Sequence, residues 1–426
     1  MGLAYYRIRG GNRLRGTVSI SGAKNAALPI MAAALLCEGE VVLHDIPNVD
    51  DVDSLAELLR TLGCEAERRP DGSMRLHVRS EANSHAPYDI VRKMRASICV
   101  LGPLLAKRGK AQVSMPGGCA FGFRPVDLHI LAMQKLGADV ELRSGDIFST
   151  TRRLRGCEMF LGGPFGSTVL GTANAMMAAT LAEGETIIEM AACEPEVVDL
   201  ANFLIKCGAK ITGQGTPRIH IQGVQRLMGC EYRIIPDRIE AGTFMIAAAI
   251  TNGELTIKNC RMDHLLAFVD RLSAVGVQTE RTEQGVFVSS ARRLLPTDVT
   301  TQVFPGFATD LQAQLMALLC MADGNSIVTE KIFPDRFLHV AELNRMGANL
   351  RKEGPTVIVQ GVKQLVGAPV MASDLRASAA LVLAGLAAQG VTEVNRIYHI
   401  ERGYQNMEEK LRAVGADIER RTDGEI

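Results

Sequence analysis

A chain of 426 residues is long for one hydrophobic core and comfortable for two of about 200 residues each. Its 47 basic and 47 acidic side chains cancel, aromatic residues make up 4% and there is no Trp, which argues against a basic nucleic-acid footprint over the whole surface and leaves few platforms for stacking bases. Hydrophobic content of 47% beside 22% charged residues is ordinary for a soluble globular protein and suggests no disordered or fibrous class.

The N-terminal stretch Met1–Arg7 has no apolar signal core, and the longest apolar run, Ala26–Cys37, is too short for a bilayer and contains Pro29. A soluble cytoplasmic protein with no membrane partner is expected. Ten cysteines show no Cys-x-x-Cys pair and no Cys/His cluster, so they read as reduced core residues, with neither disulfides nor a metal site.

From Ala26 onward the chain repeats itself. An apolar helix stops at Gly39, a strand of alternating Val and Leu follows, then an amphipathic helix stops at Gly63 and a second strand begins. The second stop recurs at Gly137, Gly208, Gly276, Gly347 and Gly415, at intervals of 74, 71, 68, 71 and 68 residues. The first recurs at Gly109, Gly184, Gly253, Gly324 and Gly390, at intervals of 70, 75, 69, 71 and 66. Two ladders in step define six repeats of about 70 residues. One repeat cannot cover its own apolar helix, so three are expected to share a core, and six to make two such globules.

Polar residues mark the helix starts in every repeat: Lys24 and Asn25, Arg95, Ser167 to Thr172, Asp237 and Arg238 with Glu240, Asp310, and Asp374 with Arg376. Asp, Ser and Thr there read as caps. Lys24, Arg95 and Arg376 do not, because a cation near the positive end of a helix dipole is unfavourable unless an anion sits between them; phosphate and carboxylate are the candidates. Solvated surface charge is the alternative reading. In the second repeat, Pro116 to His129 forms a glycine-rich loop that carries Cys119 in pliable backbone and Arg124, whose guanidinium suits bidentate contact with a carboxylate or phosphate.

Seven stretches, Ser21–Pro29, Met94–Ser97, Pro116–Cys119 with Arg124–His129, Pro236–Glu240, Thr309–Gln312, Asp374–Ser378 and Tyr398–Tyr404, follow one another at the spacing of a known family. Over essentially its whole length the chain resembles the UDP-N-acetylglucosamine enolpyruvyl transferases. The resemblance implies an α/β (α+β) fold, a two-domain inside-out α/β barrel with three repeats per domain. Residues 24–235 would form domain I, and residues 1–23 with 236–426 domain II, with substrates in the cleft between them.

The implied reaction moves the enolpyruvyl group of phosphoenolpyruvate to the 3-hydroxyl of UDP-N-acetylglucosamine and releases phosphate, the first committed step of peptidoglycan synthesis, without cofactor or metal. By the resemblance Asp310 takes the hydroxyl proton, and Cys119 protonates the methylene carbon and is the residue that fosfomycin alkylates. Lys24, Asn25, Arg95, Arg124, Arg376 and Arg402 bind phosphoenolpyruvate, with Lys24 and Arg402 also serving catalysis. The nucleotide sugar falls to Asn25, Arg95, Arg124, Pro125, Val126, Asp127, Leu128, Ser167, Thr168, Val169, Asp310, Ile332 and Phe333. Glu194, Glu196, Asp199 and Arg336 read as closure or capping residues. Two departures stand out: the 164–172 turn is longer than the family's usual one, and Phe121 and Phe123 flank Gly122 in the cysteine loop. The alternatives are the sister transferase acting on shikimate 3-phosphate and a paralogue that binds the nucleotide sugar without turnover.

Overall fold

The structure, a computed structural model, describes residues 4–116, 126–290 and 293–422. These fall into two compact units, one built from residues 22–116 and 126–235 and the other from 4–21 and 236–422. Cys119, Arg124, Pro125, Phe121 and Phe123 lie outside the described residues.

The first unit has three inner helices, Lys24–Ala33, Leu101–Arg108 and Val169–Ala179; the last packs against both of the others, and the first also packs on the 3-10 turn Arg95–Val100. In the second unit Arg238–Ile250, Gln312–Leu319 and Leu375–Ala387 all pack against one another. These helices are mostly apolar around their circumference, so water can be kept from them only by covering them nearly all round. Every residue from Ile239 to Ile250 is buried, as is every residue from Gly171 to Ala179. The cover consists of amphipathic helices such as Asp50–Thr61 and Pro195–Lys206, and of sheets whose strands alternate buried and solvent-facing residues.

Each repeat has a four-stranded sheet with one pattern: an edge strand runs parallel to its neighbour and the next two are antiparallel. In the third repeat Glu158–Phe160 lies parallel to Glu185–Glu189, which pairs antiparallel with Arg218–Gln222. Three repeats complete this pattern with strands from far along the chain. In the first, the edge strand is Glu231–Arg233, parallel to Glu40–His44. In the last, the third strand is Ala4–Arg9, seated between Val391–Asn395 and Asp417–Thr422 and antiparallel to both. The next N-terminal strand, Arg15–Ser19, is the edge strand of the fourth repeat, parallel to Glu254–Lys258.

The glycine stops are left-handed as the ladders require: Gly63, Gly137, Gly208, Gly276, Gly347 and Gly415 all have positive φ. The other ladder holds at five of six positions. In the fourth repeat Asn252 takes the left-handed residue, at φ 52°, a conformation that Asn tolerates better than most side chains. Gly253 is needed there for a different reason, since a Cβ on it would stand 2.3 Å from the carbonyl oxygen of Leu14.

Buried carboxylates hold Ser21 and Ile235, the residues at which the chain leaves each unit. Glu240 lies wholly inside the second unit, where one oxygen accepts from the Ser21 backbone N–H at 2.7 Å and the other from Lys410 Nζ at 2.6 Å. Asp199 does the equivalent in the first unit, accepting from the Tyr232 hydroxyl at 2.6 Å and the Ile235 N–H at 3.2 Å. The described cysteines are all free thiols, and four of them, Cys157, Cys193, Cys230 and Cys260, are only partly buried.

Candidate active site

In the second unit the start of Gln312–Leu319 meets the start of Leu375–Ala387. Asp310, in the 3-10 turn Thr309–Leu311, receives Arg336 Nη1 on Oδ1 at 2.7 Å. Its Oδ2 takes both Arg376 Nη2 at 2.9 Å and Nε at 3.2 Å, two charge-assisted bonds to a single oxygen. Burial alone pushes the Asp310 carboxyl up; Arg376 and Arg336 overcome it and hold the group well below the usual carboxylate range. Arg376 is itself buried, stays charged because Asp310 faces it, and lies over the Tyr404 ring at 5.4 Å. Its Nη1 is buried without a hydrogen-bond partner among the described residues. A buried guanidinium with a spare donor can accept an anion, which would have to compete with the Asp310 carboxylate already paired to it.

Around this pair the polar groups interlock. Gln314 Nε2 donates to the Asp310 carbonyl at 2.8 Å and to the Tyr404 hydroxyl at 3.2 Å, while that hydroxyl and Thr243 Oγ1 stand 2.9 Å apart. Glu330, fully buried, accepts from the backbone N–H groups of Ile332 and Phe333 at 2.8 and 3.0 Å. Arg402 caps the short helix Tyr398–Glu401 and is half-buried.

In the first unit Lys24 opens its inner helix and turns its ammonium to Asp51 Oδ2 at 2.7 Å, both side chains being more than nine-tenths buried. Asn25 beside it is partly exposed. Arg95 begins the 3-10 turn Arg95–Val100 and is half-buried, and its charge reaches His129. His129 sits in Asp127–Lys135, where Asn174 Nδ2 donates to its Nδ1 at 2.9 Å. The same amide nitrogen donates to the Ile98 carbonyl at 2.8 Å, and Asn174 Oδ1 accepts the Gly102 N–H at 2.9 Å. With Asn174 as donor, the ring proton belongs on Nε2, and burial followed by Arg95 pushes the imidazole down to about 3.

Val126 is buried, Asp127 exposed and Leu128 half-buried. Gly162–Gly163 and Gly166–Ser167 form a small hairpin with Phe165 exposed at its tip, and Thr168 caps Val169–Ala179 by accepting the Gly171 N–H at 3.2 Å. The longer 164–172 turn is therefore an ordered hairpin that runs straight into a capped helix. Among the described residues no three His, Cys, Asp or Glu side chains converge in a way that could hold a metal ion, and no helix is long and apolar enough to cross a membrane.

Residues 8–411 match the family described as EPSP synthase (3-phosphoshikimate 1-carboxyvinyltransferase). The solved structure of the enolpyruvyl transferase NikO from Streptomyces tendae superposes with a TM-score of 0.90 at 26% identity, over 99% of this chain and all of that one. Curated relatives decide between branches. The UDP-N-acetylglucosamine 1-carboxyvinyltransferase of Nitratidesulfovibrio vulgaris is 55% identical over 98% of this chain and 99% of its own length, and that of Oleidesulfovibrio alaskensis is 56% identical over 97% and 98%. The chain belongs to the UDP-N-acetylglucosamine 1-carboxyvinyltransferase family.

For a UDP-N-acetylglucosamine 1-carboxyvinyltransferase the helix starts hold both kinds of residue that the sequence suggests. Thr168, Asp237 and Asp374 are true caps, the last two each accepting two backbone N–H groups. Lys24, Asp310 and Arg376 are not caps; their side chains turn to charged partners. Arg336, which the sequence suggests as a closure or capping residue, is half of the Asp310 clamp. Glu330 and Asp51 escape sequence reasoning altogether. Asp51 reads as one of three acidic residues in the first turn of Asp50–Thr61, and only its burial separates it from Asp50 and Asp53.

Proposed function

We propose that this protein transfers the enolpyruvyl group of phosphoenolpyruvate to the 3-hydroxyl of UDP-N-acetylglucosamine, with release of phosphate, in the cytoplasm as part of peptidoglycan synthesis. The observation that carries this reading is the near full-length identity above 50% with relatives of that name, at a chain whose second unit holds an ionised carboxylate between two arginines.

The acceptor hydroxyl oxygen attacks C2 of phosphoenolpyruvate while its proton passes to Asp310, and Cys119 protonates C3 to give a methyl group. The tetrahedral phosphoketal then expels phosphate as the methyl group returns a proton and the vinyl group re-forms. Lys24, Asn25, Arg95, Arg124, Arg376 and Arg402 bind phosphoenolpyruvate, the five cations among them neutralising its charge; the 126–128 segment, Ser167–Val169 and Ile332–Phe333 serve the nucleotide sugar. Asp51 and Asp310 occupy Lys24 and Arg376 until an anion competes for them. An anion that draws Arg376 away also raises the proton affinity of Asp310, the change a general base needs.

Phosphate release from phosphoenolpyruvate, with UDP-N-acetylglucosamine and shikimate 3-phosphate as parallel acceptors, tests the reading. Release with the nucleotide sugar alone is expected. Release with shikimate 3-phosphate instead, or silence from a folded protein that still binds the nucleotide sugar, would refute it.

A further inference from the structure

We propose that Thr309 and Glu330 are positioning residues for the Asp310 carboxylate, acting through Arg336. The inference rests on the role of Asp310 given above.

Glu330 is wholly buried and all its acceptor capacity is directed. Oε1 takes the Thr301 hydroxyl at 2.6 Å together with the Ile332 and Phe333 N–H groups, and Oε2 takes the Thr309 hydroxyl at 2.8 Å. The single proton of Thr309 Oγ1 is thereby committed to Glu330, so its lone pair faces Arg336 Nη1, which donates to it at 3.0 Å. The same Nη1 stands 2.7 Å from Asp310 Oδ1. The Arg336 guanidinium also lies 5.7 Å from the centre of the Phe333 ring, whose backbone Glu330 holds. One buried carboxylate thus fixes both the hydroxyl that aims the guanidinium and the residue whose ring lies under it.

A hydroxyl with a free rotor would let Arg336 move between acceptors, whereas this one presents a lone pair in one direction only. Asp310 is faced by Arg336 and by Arg376 from the neighbouring helix; Arg376 in turn feels Tyr404 and Asp237. His339, buried nearby in the fold, faces Asp374 and Arg336. With Arg376 engaged by substrate, Arg336 is the remaining guanidinium on Asp310, and its placement sets where the carboxylate points and how readily it takes a proton.

The test uses the full chain with phosphoenolpyruvate and UDP-N-acetylglucosamine, following kcat across the acidic limb of the pH profile. Thr309→Val keeps the shape and removes the lone pair; Thr309→Ser keeps the hydroxyl. Glu330→Gln puts an amide donor where an acceptor stood and turns the Thr309 hydroxyl round. Loosening Arg336 lets the Asp310 pKa rise, so Thr309→Val should lower kcat by about 10- to 100-fold and move the acidic limb upward by about one pH unit. Thr309→Ser should restore both, and Glu330→Gln should follow Thr309→Val. A fall in kcat with the limb unmoved is what a packing defect gives and would overturn the proposal, as would Thr309→Val behaving like the unaltered protein. Absence of transfer by the unaltered protein, or full activity of Asp310→Asn, would instead overturn the reading beneath it.

Discussion

At the scale of single residues, Asp310 and Arg376 form the most consequential contact described. The Arg376 side chain is 2% exposed and that of Asp310 25%, so removing the guanidinium leaves a largely desolvated carboxylate with one partner in place of two. Arg376→Met should destabilise the protein by about 3 kcal/mol at neutral pH, read from urea unfolding, and an unchanged midpoint would contradict the pairing. The folded carboxyl lies below its unfolded value, so its contribution is fully present above about pH 5 and is lost as pH falls through the folded pKa. The penalty of Arg376→Met should therefore shrink in acid. Lys24, Asp310 and Arg376 are legible in the sequence because they stand where a cap is expected and two of them carry the wrong charge for one. Glu330 and Asp51 are not, and Arg336 is singled out only by resemblance, as a closure or capping residue rather than as a partner of Asp310. Each is charged in a stretch that reads equally well as solvated surface, and only burial, a property of the tertiary fold, separates the two cases.

At the scale of helices and strands, the period is legible because the helix stop demands a backbone state that glycine alone adopts without strain. The ladders mark where helices end, yet they do not say which glycines are also pressed against other backbone. Gly63 and Gly208 occupy equivalent stops, with φ of 84° and 107°. A Cβ on Gly63 would stand 2.2 Å from the Ser80 carbonyl oxygen, while one on Gly208 meets nothing within 4 Å. Gly208→Ala should cost about 1 kcal/mol, the left-handed penalty alone, and Gly63→Ala clearly more because backbone has to move. Thermal unfolding of the two variants measures the difference; equal losses would mean that the Ser80 strand end yields freely. Asn252 shows the limit of the pattern: another residue took the left-handed state, and Gly253 remained in register for the separate need of letting Leu14 approach. The sheets were less legible than the helices. Nothing local in Ala4–Arg9 says that its partners lie at 391–395 and 417–422.

At the scale of the whole molecule, each unit carries one wholly buried imidazole kept neutral. Burial, then Arg95, pushes His129 down to about 3, and burial pushes His339 down to about 4, with Asp374 opposing and Arg336 adding to it. Unfolded, both titrate near 6.5, so between those limits the unfolded chain binds more protons than the folded one. Stability is therefore intact above about pH 6.5 and falls by about 1.4 kcal/mol per pH unit for each histidine as pH drops below it. His129→Gln should flatten that slope by about one proton, measured by urea unfolding over a pH series; an undiminished slope would show that His129 is charged in the fold. The N-terminal strand has a further consequence during synthesis. Residues 22–235 supply every described strand of their own three four-stranded sheets and can close as soon as Glu231–Arg233 has been made. Ala4–Arg9 leaves the ribosome long before both of its neighbours, which are made nearly 400 residues later. At about 5 to 20 residues per second it waits for about 20 to 80 s with both edges unpaired. The unit whose first strands precede residues 22–235 is thus finished after them, and Tyr6 and Ile8, which end in its core, stay uncovered for that interval and are candidates for chaperone binding.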